Sequence, residues 1–343
     1  MAVCFSEALS RSLVISQRIL KRLKGLGIAA DHLAHAQDFS FLYNSQKELL
    51  STGYDAEGQR LWDSNYDLLA SEARSAAFVA IAKGDISREV WFRMGRTMAL
   101  VNERSAMLSW TGTMFEYLMP ALWMKLYPNT LLEQAARTAV LTQQEYATEK
   151  LVPWGISECS FAEKGPDGRY GYRAFGVPEL ALSRVNPDDL VVSPYSAFLA
   201  LLLEGPAGTS NLREMQQRGW LGTYGFYEAC DFTQHGAQAS SSCEIVACWM
   251  AHHQGMILVA AANVLGANAM QRRFHAEPMV AATERLLQEV PRSAVAAVPD
   301  APAKSSWLKT SVPVFCSLWK TAVSHPREES EVPPTQRIHE TDG

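Results

Sequence analysis

Four short segments of the sequence set a carboxylic acid among aromatic residues, glycines or prolines. They begin at residues 66, 109, 153 and 222 and read YDLLASEAR, SWTGTMFEYLMP, PWGISECS and GTYGFYEACD. Glycoside cleavage uses two carboxyl groups across one bond: one protonates the leaving oxygen, and the other activates water or attacks the anomeric carbon. The apolar C–H faces of a sugar ring also stack on aromatic side chains. The segments therefore predict a carbohydrate site.

The third and fourth segments hold the strongest catalytic candidates. Glu158 follows Trp154 and Gly155 at the predicted end of a long helix, and Glu228 follows two glycines that permit tight turns. Functional residues concentrate on loops that a rigid scaffold positions, which favours a catalytic role for both. Glu116 is a third candidate, because an acid among apolar neighbours must be paired or have a raised pKa. A structurally paired glutamate remains the alternative there.

Polar and aromatic residues around these acids are predicted to contact the substrate. They are Asp67, Glu72, Arg74, Trp154, Tyr227, Asp231, His252, His253 and Gln254. For the first segment, a capped helix with a solvated charge pair is an equally good interpretation. For the two histidines, a hydrogen-bonded core position is equally good, since neighbouring helical positions point about 100° apart. No zinc-ligand spacing occurs, so we predict no metal and no cofactor.

Helical periodicity dominates the elements that must position these residues. Apolar residues recur at helical spacing over 66–83, and Gly84 follows as a stop signal. The same pattern predicts helices at 89–94, 112–127, 131–151, 194–203, 212–218, 242–265 and 267–288. Aromatic and turn residues between 38 and 62 predict a small β-hairpin region of two short strands. No alternation of strands and helices is visible, so the predicted fold class is mainly α.

The organisation of the chain follows from the same pattern. Residues 1–37 are predicted to form an N-terminal linker helix, and residues 38–291 the catalytic domain. Residues 292–343 are rich in proline and charge and lack periodicity, so they are predicted to form a poorly ordered tail.

Composition excludes several classes of protein. The 343 residues are 48% hydrophobic and 20% charged, with a net charge of −5, which is typical of a globular protein without a nucleic-acid footprint. The sequence shows no secretory signal and no apolar run that could span a bilayer. Six cysteines without a CxxC pair predict reduced thiols and a cytoplasmic location.

Together these segments resemble the glycoamylase-like domain found in the middle of cyclic β-1,2-glucan synthases, which is related to β-1,2-glucanases. The resemblance covers about three quarters of the chain, from residue 38 to residue 291. The matching stretches are 38–54, 66–74, 78–84, 114–120, 153–158, 175–178, 189–195, 224–231, 251–256 and 273–279.

The resemblance implies a fold, a reaction and a partner. The fold is an (α/α)6-type helical barrel that need not be complete here, because the sequence predicts fewer helices than six pairs. The reaction is the cleavage and rejoining, or the hydrolysis, of β-1,2-glucan, with Glu158 and Glu228 as the catalytic pair and Glu116 next. A retaining pair lies about 5 to 5.5 Å apart and an inverting pair about 6.5 to 9.5 Å. The partner is a β-1,2-glucan oligosaccharide or polysaccharide, and full-length relatives sit at the inner membrane.

Two alternatives stay open at this point. The chain contains neither the glycosyltransferase nor the phosphorylase-like region that flanks the domain in the synthases. It is therefore also interpretable as a non-catalytic glucan-binding module or an inactive fragment of a cyclic β-1,2-glucan synthase. A helical interaction protein that uses residues 1–35 is the second alternative.

Overall fold

The computed structural model describes residues 2–233 and 243–291, with side chains described from residue 5 onward. Helices dominate these ranges. The α-helices are α1 (Ala2–Ala36), α2 (Arg74–Lys83), α3 (Glu89–Arg93), α4 (Met114–Leu118), α5 (Leu131–Lys150), α6 (Pro194–Ala200), α7 (Gly205–Gln217), α8 (Ala251–Leu265), α9 (Ala269–Phe274) and α10 (Pro278–Thr283). Short 3₁₀ helices lie at Ser40–Leu42, Met119–Leu122, Pro178–Leu180 and Glu284–Gln288.

The strands are short and form small antiparallel sheets. They are β1 (Tyr43–Asn44), β2 (Leu49–Leu50), β3 (Tyr54–Asp55), β4 (Arg60–Leu61), β5 (Met98–Val101), β6 (Arg104–Met107), β7 (Val191–Val192), β8 (Leu221–Gly222), β9 (Gly225–Phe226), β10 (Ala229–Asp231) and β11 (Glu244–Val246). Strands β1–β2, β3–β4, β5–β6 and β8–β9 form two-stranded sheets, and β10 lies between β11 and β7. The N-terminal β region therefore contains two hairpins, whereas the sequence predicts one.

Helix α5 forms where its sequence predicts it. Thr130 accepts a hydrogen bond from the backbone N–H of Glu133 and so caps the first turn. One face of the helix is buried, including Ala136, Ala139 and Val140, and it packs against α4 and β6. At the other end, Leu151 adopts a left-handed conformation that stops the helix.

The helix predicted over 66–83 begins only at Arg74. The backbone of Gly95 donates to the carbonyl of Asp67 and accepts from the N–H of Leu69. Those two groups are thus paired outside any helix, and the segment before Arg74 stays extended or bent. The helix still ends at Gly84 as predicted.

Strand pairing and two prolines shorten three other predicted helices. Residues 244–246 pair with strand β10, so the helix predicted over 242–265 begins at Ala251. The segment predicted over 112–127 tightens into a 3₁₀ turn at Pro120, which lacks the N–H that an α-helix needs. Pro278 divides the segment predicted over 267–288 into shorter helices in the same way.

A single large hydrophobic core joins most of these elements. Trp91 and Phe78 are completely buried, and their rings meet edge to face at 6.0 Å. Helix α6 packs against α7 and α8, and α2 packs against α10. Full burial of one such side chain contributes about 1.5 to 3 kcal/mol, so this core supplies the rigid scaffold on which the loops are held.

Helix α1 contrasts with this core, because its described side chains, from residue 5 onward, are all exposed. The predicted linker role of residues 1–37 stays a prediction. The predicted poorly ordered tail, residues 292–343, lies outside the described residues.

The prediction of reduced thiols is wrong for one pair of cysteines. Cys230 in β10 and Cys243 just before β11 form a disulfide, with 5.7 Å between their Cα atoms. The two strands pair antiparallel, and this pairing brings together cysteines that are 13 positions apart. Cys159 and Cys248 are free thiols among the described residues.

Candidate active site

The loops that carry the predicted acids are tied to helix α5 by one buried amide. The Gln143 side chain donates to the carbonyls of Gly112 and Ile156, and it accepts from the N–H of Ile156. The N–H of Met114 also donates to the carbonyl of Ile156. Gln143 is 1% exposed, so its bonds are shielded from water. The loops before α4 and after α5 are therefore fixed relative to each other.

Glu158 lies at the end of the second of these loops. Its side chain is half-buried, and the hydroxyl of Tyr172 donates to it at 3.0 Å. Burial, followed by the charges of Glu72 and Glu116, raises the pKa of Glu158 to about 8. A carboxyl group with this pKa is protonated at neutral pH and can donate a proton, as a general acid must.

Glu72 belongs to the same group of charges. It lies two residues before α2, is half-buried, and accepts a hydrogen bond from the hydroxyl of Ser71 at 3.2 Å. Burial, followed by the charge of Glu116, raises the pKa of Glu72 to about 7, while the Arg74 charge opposes this increase. We call Glu72, Glu116 and Glu158 the acidic cluster. Carboxylates that repel one another do not all ionise at the same pH, so one can stay protonated while another is charged. A catalytic carboxyl pair usually has this arrangement.

Glu116, the deepest member of the acidic cluster, is fully engaged in local hydrogen bonds. Its carboxylate accepts from the hydroxyls of Ser109, Thr111 and Thr113 at 2.8 to 3.0 Å, and from the N–H groups of Thr111 and Thr113. Thr113 and Glu116 form a capping box at the start of α4. The side chain is only 3% exposed. These bonds give Glu116 a structural role at the start of α4, and its predicted catalytic role stays a prediction.

Arg74 is held in place by several backbone carbonyls. Its guanidinium is buried and donates to the carbonyls of Ser71, Glu116 and Tyr117 at 2.6 to 2.9 Å, with a longer bond to Leu69. Burial lowers its pKa to about 10, against the opposing charge of Glu72. These bonds fasten the start of α2 to the end of α4 and support a structural role for Arg74, while its predicted substrate contact stays a prediction.

Glu228 forms a buried pair with His253. The Nδ1 atom of His253 lies 2.8 and 3.0 Å from the two carboxylate oxygens, and both residues are 2% exposed. The imidazole stacks on the ring of Tyr195 at 3.9 Å, and the Tyr195 hydroxyl donates to the carbonyl of Glu158 at 3.1 Å. Tyr195 is also hydrogen-bonded to Ser157, whose hydroxyl accepts from α4. Glu228 thus reaches Glu158 through two intervening side chains.

Three other residues predicted to contact the substrate have backbone or core partners. Asp231 is buried and accepts from the N–H groups of Ala162 and Thr233. Trp154 is half-buried and packs against both hydrophobic clusters of the core. Asp67 is half-buried, and burial raises its pKa above the ordinary value. The Oδ1 atom of Asp67 is buried and has no hydrogen-bond partner among the described residues.

The remaining predicted contacts gather at the start of helix α8. His252 is half-buried, and burial followed by the neighbouring His253 lowers its pKa to about 3, so it is neutral. Gln254 and Tyr227 are also half-buried, and the Tyr227 ring packs on Trp249. Sequence reasoning missed Tyr195 and Trp249 as site residues, although both lie beside segments that it singled out.

The described residues contain neither a metal-binding cluster nor a membrane-spanning helix. Residues 2–233 and 243–291 contain no group of three or more His, Cys, Asp or Glu side chains arranged to hold a metal ion. In the same part of the chain, no helix combines the length and apolar character that crossing a membrane requires.

Comparison with known proteins then decides the family. A family model described as "Putative glucoamylase" matches residues 65–278, which include the acidic cluster, Glu228 and His253. The chain belongs to the glycoamylase family. This glycoamylase-family chain is 39% identical over 273 residues to the protein "Cyclic beta-(1,2)-glucan synthase NdvB" of Rhizobium meliloti (strain 1021). The match covers 80% of the chain and 10% of that relative, so the chain spans about a tenth of its length.

Solved structures show the same fold. The endo-β-1,2-glucanase from Chitinophaga pinensis superposes with a TM-score of 0.58 at 18% identity, over 77% of this chain and 65% of that one. The β-1,2-glucanase from Parabacteroides distasonis gives a TM-score of 0.60 at 14% identity, over 77% of this chain and 41% of that one. The predicted mainly α, helical-barrel fold of the glycoamylase family is confirmed. The completeness of the barrel stays a prediction.

Proposed function

We propose that this glycoamylase-family domain cleaves β-1,2-glucan, with Glu158 as the general acid and Glu72 as its carboxylate partner. The observation that carries the proposal is the acidic cluster, in which Glu158 and Glu72 are half-buried and have raised pKa values of about 8 and about 7. Burial and like charges raise both pKa values, so one carboxyl of the pair can stay protonated at neutral pH while the other is ionised. That pairing of an acid with a base or nucleophile is what glycoside cleavage needs.

The partner of Glu158 changes from the sequence-based hypothesis, which paired it with Glu228. Both carboxylate oxygens of Glu228 lie within 3.0 Å of His253, and the pair is shielded from solvent. Such a carboxylate orients its imidazole, and the imidazole supports the ring of Tyr195. We therefore propose that Glu228 is a positioning residue that acts on Glu158 through His253 and Tyr195.

β-1,2-Glucan is proposed as the substrate because the relatives carry it in their names. The 39% identical relative is named as a synthase of the cyclic glucan, and two structural neighbours are named as glucanases for the same linkage. The cytoplasmic location predicted from the cysteines stays a prediction, and the disulfide removes one argument for it.

The test is incubation of the purified chain with linear β-1,2-glucan, followed by mass spectrometry of the products. Hydrolysis gives shorter linear chains, and ring closure gives products lighter by one water than linear chains of the same length. Glu158→Gln and Glu72→Gln should each abolish turnover. Glu163→Gln is the matched control, because Glu163 is an exposed acid five positions beyond Glu158. Full activity of Glu72→Gln would refute the assigned pair, and glucan binding without cleavage would favour a non-catalytic module.

A further inference from the structure

Three aromatic side chains form a continuous surface next to Glu228, and we call them the aromatic platform: Tyr224, Tyr227 and Trp249. The Tyr227 and Trp249 ring centroids are 5.2 Å apart at an interplanar angle of 36°. Tyr224 meets Trp249 edge to face at 5.6 Å. Tyr224 is 79% exposed and Trp249 is 36% exposed, so the rings cover one another only in part.

The backbone beneath the platform is built to present these rings. Tyr224 lies at the tip of the β8–β9 hairpin, where Gly225 has a φ of +108° that side chains rarely adopt. A Cβ on Gly222 would lie 2.6 Å from the Tyr227 ring, so that ring rests directly on the glycine backbone. Gly225 therefore permits the turn that carries Tyr224, and Gly222 permits the Tyr227 ring to pack directly on the backbone of the hairpin.

Packing does not account for the outward-facing rings. The same hairpin is anchored from its other face by Phe226, whose ring packs against Phe198 at 5.9 Å. Tyr224 buries little surface and so contributes little to the stability of the fold. Neighbouring exposed aromatic residues are typical of binding surfaces, where an apolar face must stay accessible to a ligand.

The surroundings of the platform indicate an uncharged ligand with hydroxyl groups. From Trp220 to Tyr227 and from Ile245 to Ala251 the sequence carries no charged residue. The amide oxygen of Gln254 lies 3.7 Å from the position that a Cβ of Gly225 would take, so a polar group borders the rings. Apolar faces bordered by an amide suit a pyranose ring, which has C–H faces and equatorial hydroxyls.

The platform is joined to the buried pair of Glu228 and His253. Glu228 directly follows Tyr227, and its N–H donates at 3.0 Å to the carbonyl of Cys248, which precedes Trp249. From Glu228, the contacts run through His253 and Tyr195 before they reach the backbone of Glu158. The platform is thus connected to the acid by a chain of buried side chains.

We propose that the aromatic platform is a distal subsite that binds sugar residues of a β-1,2-glucan chain remote from the bond that is cut. This inference rests on the proposed function for its choice of glucan. With such a subsite, the affinity for long chains depends on Trp249 and Tyr224. Short oligosaccharides that occupy the acidic cluster do not reach the platform.

Binding to a protein that cannot cleave tests this directly. In a Glu158→Gln background, calorimetry with long linear β-1,2-glucan should show that Trp249→Ala and Tyr224→Ala each raise the Kd about tenfold. The Kd for a β-1,2-linked trisaccharide should stay unchanged. Tyr224→Phe keeps the ring and should retain the parent affinity. Trp62→Ala is the matched control, because Trp62 is 37% exposed, as Trp249 is 36% exposed, and lies just after strand β4.

Each outcome decides between the possibilities. Equal losses for long and short ligands, or no loss for either in the platform variants, would overturn the distal subsite. If the Glu158→Gln protein binds long glucan through the platform but the unsubstituted chain never cleaves it, the proposed function is refuted and the subsite stands. A parent protein that binds no β-1,2-glucan would refute both. Each variant should unfold at the same temperature as the Glu158→Gln protein. The losses of affinity then arise from lost contacts with the glucan and not from a destabilised fold.

Discussion

Replacement of Arg74 by methionine separates a structural arginine from a substrate-binding one. The guanidinium makes three bonds of 2.6 to 2.9 Å to buried carbonyls, those of Ser71, Glu116 and Tyr117. Arg74→Met keeps much of the apolar volume but leaves these acceptors without a donor. Each charge-assisted bond of this kind contributes about 1.5 kcal/mol or more. We expect the free energy of unfolding to fall by about 4 kcal/mol.

Urea and thermal denaturation measure this loss. For a domain of this size, about 1 kcal/mol corresponds to about 2 to 4 °C, so the midpoint of Arg74→Met should fall by about 8 to 16 °C. Arg88→Met is the control, since the Arg88 side chain is 77% exposed and its ion pair with Glu89 is 3.7 Å long. Its effect should stay within about 0.5 kcal/mol. A loss below about 1 kcal/mol in Arg74→Met, together with weaker glucan binding, would refute the structural role and restore the predicted substrate contact.

Two further predictions concern charge and covalent structure. The pH profile of kcat/KM should be bell-shaped, because activity needs Glu72 ionised, above about pH 7, and Glu158 protonated, below about pH 8. Glu116→Gln removes a charge that raises both pKa values, so both limbs should move to lower pH, and an unmoved profile would contradict the acidic cluster. Replacement of Cys230 and Cys243 by serine should lower the free energy of unfolding by about 3 kcal/mol, the loop-closure value for a loop of this length, measured by denaturation against the oxidised parent.

The sequence predicts those parts of the fold that depend on local signals. Helix α5 carries its own cap at Thr130 and a long apolar stripe, and it appears within one residue of its predicted limits. The segment before Arg74 has the same helical spacing of apolar residues, yet it is not helical. Its backbone groups pair with Gly95, which is a tertiary contact that no local pattern encodes.

In the candidate site, too, local signals predict some features and tertiary packing determines the others. The position of Glu158 after an aromatic residue and a glycine marks it as a loop acid, and the structure places it in the acidic cluster. Its electrostatic partner Glu72 lies far away in sequence and was predicted only as a substrate contact. A buried partner distinguishes Glu228 from Glu72, and no local sequence pattern encodes that partner. That difference arises from packing of α8, which brings His253 onto Glu228.

Gln143 has a consequence for how the site arises as the chain folds. The loops that hold Glu116 and Glu158 are connected to each other and to α5 through this one side chain and the few bonds around it. They acquire their relative positions only when α5 docks with its buried face against the core. In a partly folded chain with native helices but undocked loops, the carboxylates are separated. We expect such a chain to have no residual activity. We therefore expect a denaturant to remove the proposed activity and the folded structure at one midpoint.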